Sequence, residues 1–166
     1  MGLLFAAIGA TITALAEATL GQYISVGETA PHLVLVGGVV WAIAAGIDRG
    51  ITWAFVGGLV LDSLVGRPLG ASAFALLVAI GGAALVAQPF PRLRLVAPIV
   101  AVPVLSLAYS LLVATVGAAA GPAVGGRPPI EVFLPGVIYD TILGMFLGPL
   151  AVTLHDRQTT TERLEW

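Results

Sequence analysis

The chain has 166 residues, of which 58% are hydrophobic and 10% charged, with a net charge of −2 and no cysteine, and its mean hydropathy is +1.05. A soluble domain carries about 25% charged residues, so this composition describes an integral membrane protein. It excludes disulfide and thiolate chemistry, and its acidic balance gives no electrostatic footprint for nucleic acid.

The first apolar run, Gly2 to Leu20, is long enough to span, since about 20 helical residues cross the hydrocarbon core. It lacks the basic start of a signal peptide, although Ala14-Leu15-Ala16 mimics a cleavage site; the reading is a retained helix. Ala6, Ala10, Ala14 and Ala18 recur every fourth residue, a smooth stripe that lets another helix approach. Glu17, near the far end, is either an interfacial carboxylate or a buried partner for a polar group. A polar turn covers Gly21 to Ala30. A second helix is predicted from Pro31 to Gly46, with proline at a tolerated start, then a charged turn from Ile47 to Gly50. The third helix runs from Ile51 to Gly66, with Trp53 expected as an interface anchor.

Gly66-Arg67-Pro68 turns the chain into a fourth helix, Leu69 to Val86, whose Gly81-Gly82 pair reads as close packing. After a Pro- and Arg-containing loop, Gln88 to Arg94, the fifth helix covers Leu95 to Val116, with bends expected at Pro98 and Pro103. Ser106, Tyr109 and Ser110 give it a mildly polar face, with the hydroxyls expected to be satisfied by backbone carbonyls. Gly117 to Pro129 is a loop with few polar groups, a poor ligand lid. The sixth helix runs from Ile130 to Leu154, and His155 to Trp166 is a short polar tail. The expectation is an all-α polytopic membrane protein: a single six-helix transmembrane domain over residues 1–154 and a cytoplasmic tail over 155–166.

All seven basic residues are arginine. With the amino terminus inside, Arg49, Arg92, Arg94, Arg157 and Arg163 lie in the cytoplasm, and only Arg67 and Arg127 face outward; the positive-inside rule then places both termini in the cytoplasm. The stretch Gly58 to Gly70 also aligns with Gly136 to Gly148. Asp62 and Ser63 fall opposite Asp140 and Thr141, and Gly66 falls opposite Gly144. Such a repeat is consistent with a three-plus-three inverted arrangement, in which functional groups gather where the halves meet.

A carboxylate at membrane depth rarely lacks a partner or a task. No intramembrane Arg, Lys or His is expected beside Asp62 or Asp140. Three readings stay open: protonated acids that, with Ser63 and Thr141, tie glycine-faced helices together; a contact for a partner helix; or proton or ion coupling. His32 and His155 are far apart and near segment ends, which argues against a metal site, and no hydrolase constellation or phosphate-cradling loop is present. No cofactor is expected.

The run GGLVLDSLVGRPLGASAFALL resembles the MreD family, small rod-shape-determining membrane proteins of bacterial elongation. The residues that carry the likeness are Gly57, Gly58, Asp62, Gly66, Pro68, Leu69 and Gly70, together with Pro135, Tyr139, Asp140, Leu143 and Gly144 in the sixth segment. The resemblance implies a non-enzymatic scaffold in the bacterial inner membrane. It would bind the bitopic protein MreC and couple the MreB filament to RodA and its transpeptidase partner. The partner-binding or structural residues would then be Glu17, Gly58, Asp62, Ser63, Gly66, Pro68, Gly70, Asp140, Thr141 and Gly144. Six short helices with an alanine stripe also resemble the substrate-binding S-component of energy-coupling-factor (vitamin) transporters, in which such a stripe docks on the coupling subunit.

Overall fold

A computed structural model describes residues 2–25, 30–87, 96–120 and 129–163. Among these residues the regular structure is entirely helical: α1 (Gly2–Ile24), α2 (Leu33–Ala45), α3 (Ile47–Val65), α4 (Ala71–Ala87), α5 (Ala97–Ala120) and α6 (Pro129–Arg163). Most of the two expected loops, residues 88–95 and 121–128, lies outside the described residues, as do residues 26–29 of the first turn.

Among the described residues three spans are long and apolar enough, by length and composition, to cross a membrane: Gly2–Gly21, Ala97–Ala119 and Phe133–Thr153. The second and fourth helices carry shorter apolar runs, Leu33–Ala45 and Ala71–Ala84. The expected charged turn at Ile47 to Gly50 is instead the first turn of α3, so only Gly46 separates α2 from α3. Gly46 makes this junction possible with φ 99°, a conformation other residues rarely adopt. Asp48 then sits in the first turn of α3, where the exposed N–H groups favour an acid. At the other end of the chain, helical backbone continues through Arg163, into the stretch read from sequence as a tail. Of the two prolines expected to bend α5, Pro98 lies in its first turn, where the missing N–H costs nothing, and Pro103 lies inside it.

α2 is the axis of the fold. Its sequence, LVLVGGVVWAIAA, is apolar on every side, which is the pattern of a helix buried all round. Nine of its residues are buried, and all five other helices pack against it. Glycines set the closest approaches. A Cβ on Gly58 would stand 2.3 Å from the Ala73 Cα, which brings α3 and α4 into backbone contact. One on Gly144 would stand 2.8 Å from Val102 on α5. The alanine stripe of α1 is used internally. Ala6, Ala10 and Ala14 are fully buried, with Ala10 facing Gly57 of α3.

Trp53 is not an interface anchor. It is buried, its indole N–H donates to the Val34 carbonyl at 3.0 Å, and its ring occupies the space left by Gly9, Gly37 and Gly38. A Cβ added at Gly81 or Gly82 would meet nothing within 4 Å among the described residues, so the pair serves no close helix packing there.

The structure does not carry three-plus-three symmetry. α1 packs extensively on α3, whereas the equivalent pair, α4 and α6, has no comparable contact among the described residues. The aligned segments also differ in backbone. Gly66 and Gly70 have φ 71° and 96° and close a turn, while their counterparts Gly144 and Gly148 lie inside α6.

Candidate functional site

The short central helix creates a problem that the polar residues answer. The first N–H groups of a helix have no partner within it, and those of α2 lie inside the bundle rather than in water. His32, which precedes the helix, offers no side-chain cap to it. Two distant acids serve instead. Glu17, near the end of α1, accepts from the Val34 N–H at 2.8 Å. Asp140, from α6, accepts from the His32 N–H at 2.7 Å. The buried-partner reading of Glu17 is therefore the one the structure supports.

Asp140 is fully buried and takes two more donors. His32 Nδ1 lies 2.7 Å from its Oδ2, and the Ser106 hydroxyl donates to the same oxygen at 2.5 Å. With an ionised carboxylate as acceptor, the His32 proton belongs on Nδ1. Asp140 thus does have a basic partner, contrary to the expectation from sequence. The chain brings His32 and Asp140 together across 108 positions. Ser106 bonds to this acid and not to a backbone carbonyl.

Asp62 performs the same service for α4. It is fully buried, and its carboxylate accepts from the N–H of Gly70 at 2.8 Å and of Ser72 at 3.0 Å. Gly70 stands where a capping side chain belongs and has none, so the acid of the preceding helix reaches over to cap α4. The Asp62 carbonyl accepts from Arg67 N–H at 3.1 Å, which closes the same turn. Gly66 and Pro68 belong to that turn. Gly66 is the left-handed cap of α3 and is exposed, so it does not extend the packing face of Gly58. Among the described residues Asp62 and Asp140 share no partner and make no bond to each other.

Ser63 and Thr141 do not bridge helices. Each hydroxyl donates to a carbonyl one turn back in its own helix, Leu59 at 2.8 Å and Val137 at 2.6 Å, as such residues often do.

These helix ends surround a cavity of about 310 Å³, whose polar and aromatic lining is Glu17, His32, Arg67, Tyr109, Ser110 and Phe133. The His32 and Tyr109 rings meet edge to face with centroids 5.1 Å apart. Arg67 donates to the Ser72 hydroxyl at 3.2 Å and has no carboxylate within 4 Å among the described residues. The fully buried Tyr109 hydroxyl lies beside Ser72 and Arg67 yet makes no hydrogen bond of normal geometry. No group of three or more metal-ligating side chains occurs among the described residues.

Sequence reasoning overlooked three of these residues. Arg67 was a topology marker, Tyr109 part of a bland face and His32 a segment end. The available signal was the pair Pro31-His32 opening an apolar helix, because a buried helix start needs acceptors and the chain holds few acids at membrane depth.

No curated protein and no solved structure matches the chain. The family model described as rod shape-determining protein MreD matches residues 1–123, which takes in α1 to α5 with Glu17, Asp62 and the glycine-rich turn. The chain belongs to the MreD family of rod shape-determining membrane proteins.

Proposed function

We propose that this chain is a non-enzymatic scaffold of the bacterial rod complex, one that binds an MreC-like bitopic protein and links the MreB filament to RodA and its transpeptidase. It sits in the cytoplasmic membrane with six spans and both termini inside. The observation that carries the reading is the family match over 1–123. The three acids fit it: each is engaged by backbone N–H groups at a helix start, a use that stiffens a bundle. Five arginines on one side against two on the other support the orientation. The test is purification of the full chain co-expressed with the MreC-like protein of the same organism. Recovery of the two together supports the scaffold, and their separation under conditions that keep both folded overturns it.

A second reading, an S-component-like subunit for a small molecule, is favoured by one observation. Polar and aromatic groups do converge on a cavity whose 310 Å³ lies at the small end of ligand sites. Against it, the alanine stripe that would dock on a coupling subunit is buried against α3. Identifying what co-purifies, a protein or a small molecule, decides between the two.

A further inference from the structure

The cavity is lined by an acid and a base that do not pair with each other. Glu17 uses Oε2 on the Val34 N–H. Arg67 uses one of its donors on Ser72, and no ion pair joins it to Glu17. A guanidinium carries five N–H donors, and among the described residues only the bond to Ser72 has normal geometry, which leaves donors facing the cavity. A part-buried ion with no carboxylate beside it among the described residues favours an anionic guest, and a buried hydroxyl without a well-formed bond adds to that preference. Tyr109 supplies that hydroxyl: it is 1% exposed, makes no hydrogen bond of normal geometry among the described residues, and belongs to a side chain of the cavity wall. Arg67 and Tyr109 stand together, two donor groups suited to an oxyanion. Glu17 also lines the cavity, with its second oxygen suited to an ammonium.

We infer that this cavity binds a small zwitterion, an oxyanion joined to a primary ammonium, with Arg67 and Tyr109 taking the oxyanion and Glu17 the ammonium. A purely anionic guest meets Glu17 and is repelled; a purely cationic one meets Arg67. A zwitterion leaves the site as neutral as it found it and gives each unused group a partner. A phosphoethanolamine group has this chemistry, whether it is the head of a membrane lipid, with the acyl chains outside the cavity, or a free solute. The inference goes beyond the scaffold role, because it concerns the chain without any protein partner.

Tyr109→Phe is the mildest probe. It keeps the ring that meets His32 and removes only an oxygen that makes no hydrogen bond of normal geometry among the described residues, so folding is expected to be little changed. Arg67→Gln removes the cation. The full chain, purified in detergent and stripped of lipid, is titrated with O-phosphoethanolamine, phosphatidylethanolamine, inorganic phosphate and phosphatidylglycerol, with thermal unfolding and calorimetric binding as readouts. At least one phosphoethanolamine species is expected to bind and raise the unfolding midpoint, while phosphate and phosphatidylglycerol, which lack the ammonium, do not. Each substitution is expected to weaken that binding about tenfold or more. An effect of the lipid alone assigns the site to a headgroup, and an equal effect of the free compound assigns it to a solute. The inference is overturned if neither zwitterion binds, or if binding is as strong in both variants as in the wild type. Recovery of the MreC-like partner is a separate measurement, so failure here leaves the scaffold reading intact.

Discussion

Asparagine at Asp62 and at Asp140 is expected to have unequal consequences, although the two acids align in sequence and are equally buried. Asparagine keeps the shape but turns one acceptor oxygen into an NH2 group with two donors. At Asp62 the partners are backbone N–H groups, which can only donate. Ser72 N–H lies 3.0 and 3.1 Å from the two carboxylate oxygens, so whichever way the amide is turned, its NH2 faces a donor. The change removes a charge-assisted bond at a helix start and sets donor against donor, a cost of about 1–3 kcal/mol. At Asp140 the partners on Oδ2 are His32 Nδ1 and the Ser106 hydroxyl, and both can reverse. The imidazole can change tautomer, the hydroxyl can rotate, and the two amide hydrogens then find two acceptors while Oδ1 keeps the His32 N–H. Only the charge is lost, a cost of about 1 kcal/mol or less. For a chain of this size each kcal/mol moves the melting point by about 2–4 °C. Asp62→Asn is therefore expected to melt roughly 2–12 °C lower, and Asp140→Asn within a few degrees of wild type. Circular dichroism of the detergent-purified protein reads both. Equal losses, or a larger loss at Asp140, would refute the assignment of partners. Leucine at either position strands every donor and is expected to cost on the order of 3 kcal/mol or more.

Gly58→Ala is expected to lose about 1–3 kcal/mol by overpacking, because its Cβ would collide with the Ala73 backbone; Gly82→Ala, in open space, is expected to gain up to about 1 kcal/mol of helix propensity. The same melting assay compares the two, and equal behaviour would argue against the α3–α4 contact. Gly66→Ala is expected to cost about 1–2 kcal/mol from its left-handed backbone alone without altering the packing of α3 on α4, a difference that disulfide trapping between those helices can check.

The acids were legible in the sequence as polar letters in apolar runs, but their tasks were not, because backbone N–H groups have no letter. Asp62 bonds to Gly70 and Ser72, and nothing in those residue names announces a donor. His32 and Asp140 are 108 positions apart, a separation that hydropathy cannot bridge. Trp53 misled because tryptophan near a helix start is common at a membrane surface. The three glycines that accommodate its ring, Gly9, Gly37 and Gly38, lie on two other helices, and their spacing carries no mark of a shared target. The aligned glycines misled differently. Identical spacing at Gly66 and Gly144 produced a helix cap in one segment and a packing contact in the other, because Arg67-Pro68 follows the first and Met145-Phe146 the second. Proline cannot continue a helix; methionine and phenylalanine can.

The family match stops at residue 123, yet the interior it covers is completed from beyond that point. Asp140 on α6 supplies the acceptor for the His32 N–H, the His32 ring and Ser106. Removing α6 would leave all three donors unpaired at about 1–3 kcal/mol each, and would expose the Val102 and Pro98 surfaces that meet Gly144 and Gly148. A domain's whole stability is about 5–15 kcal/mol, so this loss rivals the total. A fragment of residues 1–123 is therefore expected to show helical content without a cooperative melting transition. Co-expression with a separate fragment of residues 124–166 is expected to restore that transition, and Asp140→Leu in the second fragment is expected to weaken the restoration. A cooperative melt in the 1–123 fragment close to that of the full chain would show that α6 is an appendage, and that the start of α2 finds its acceptors elsewhere.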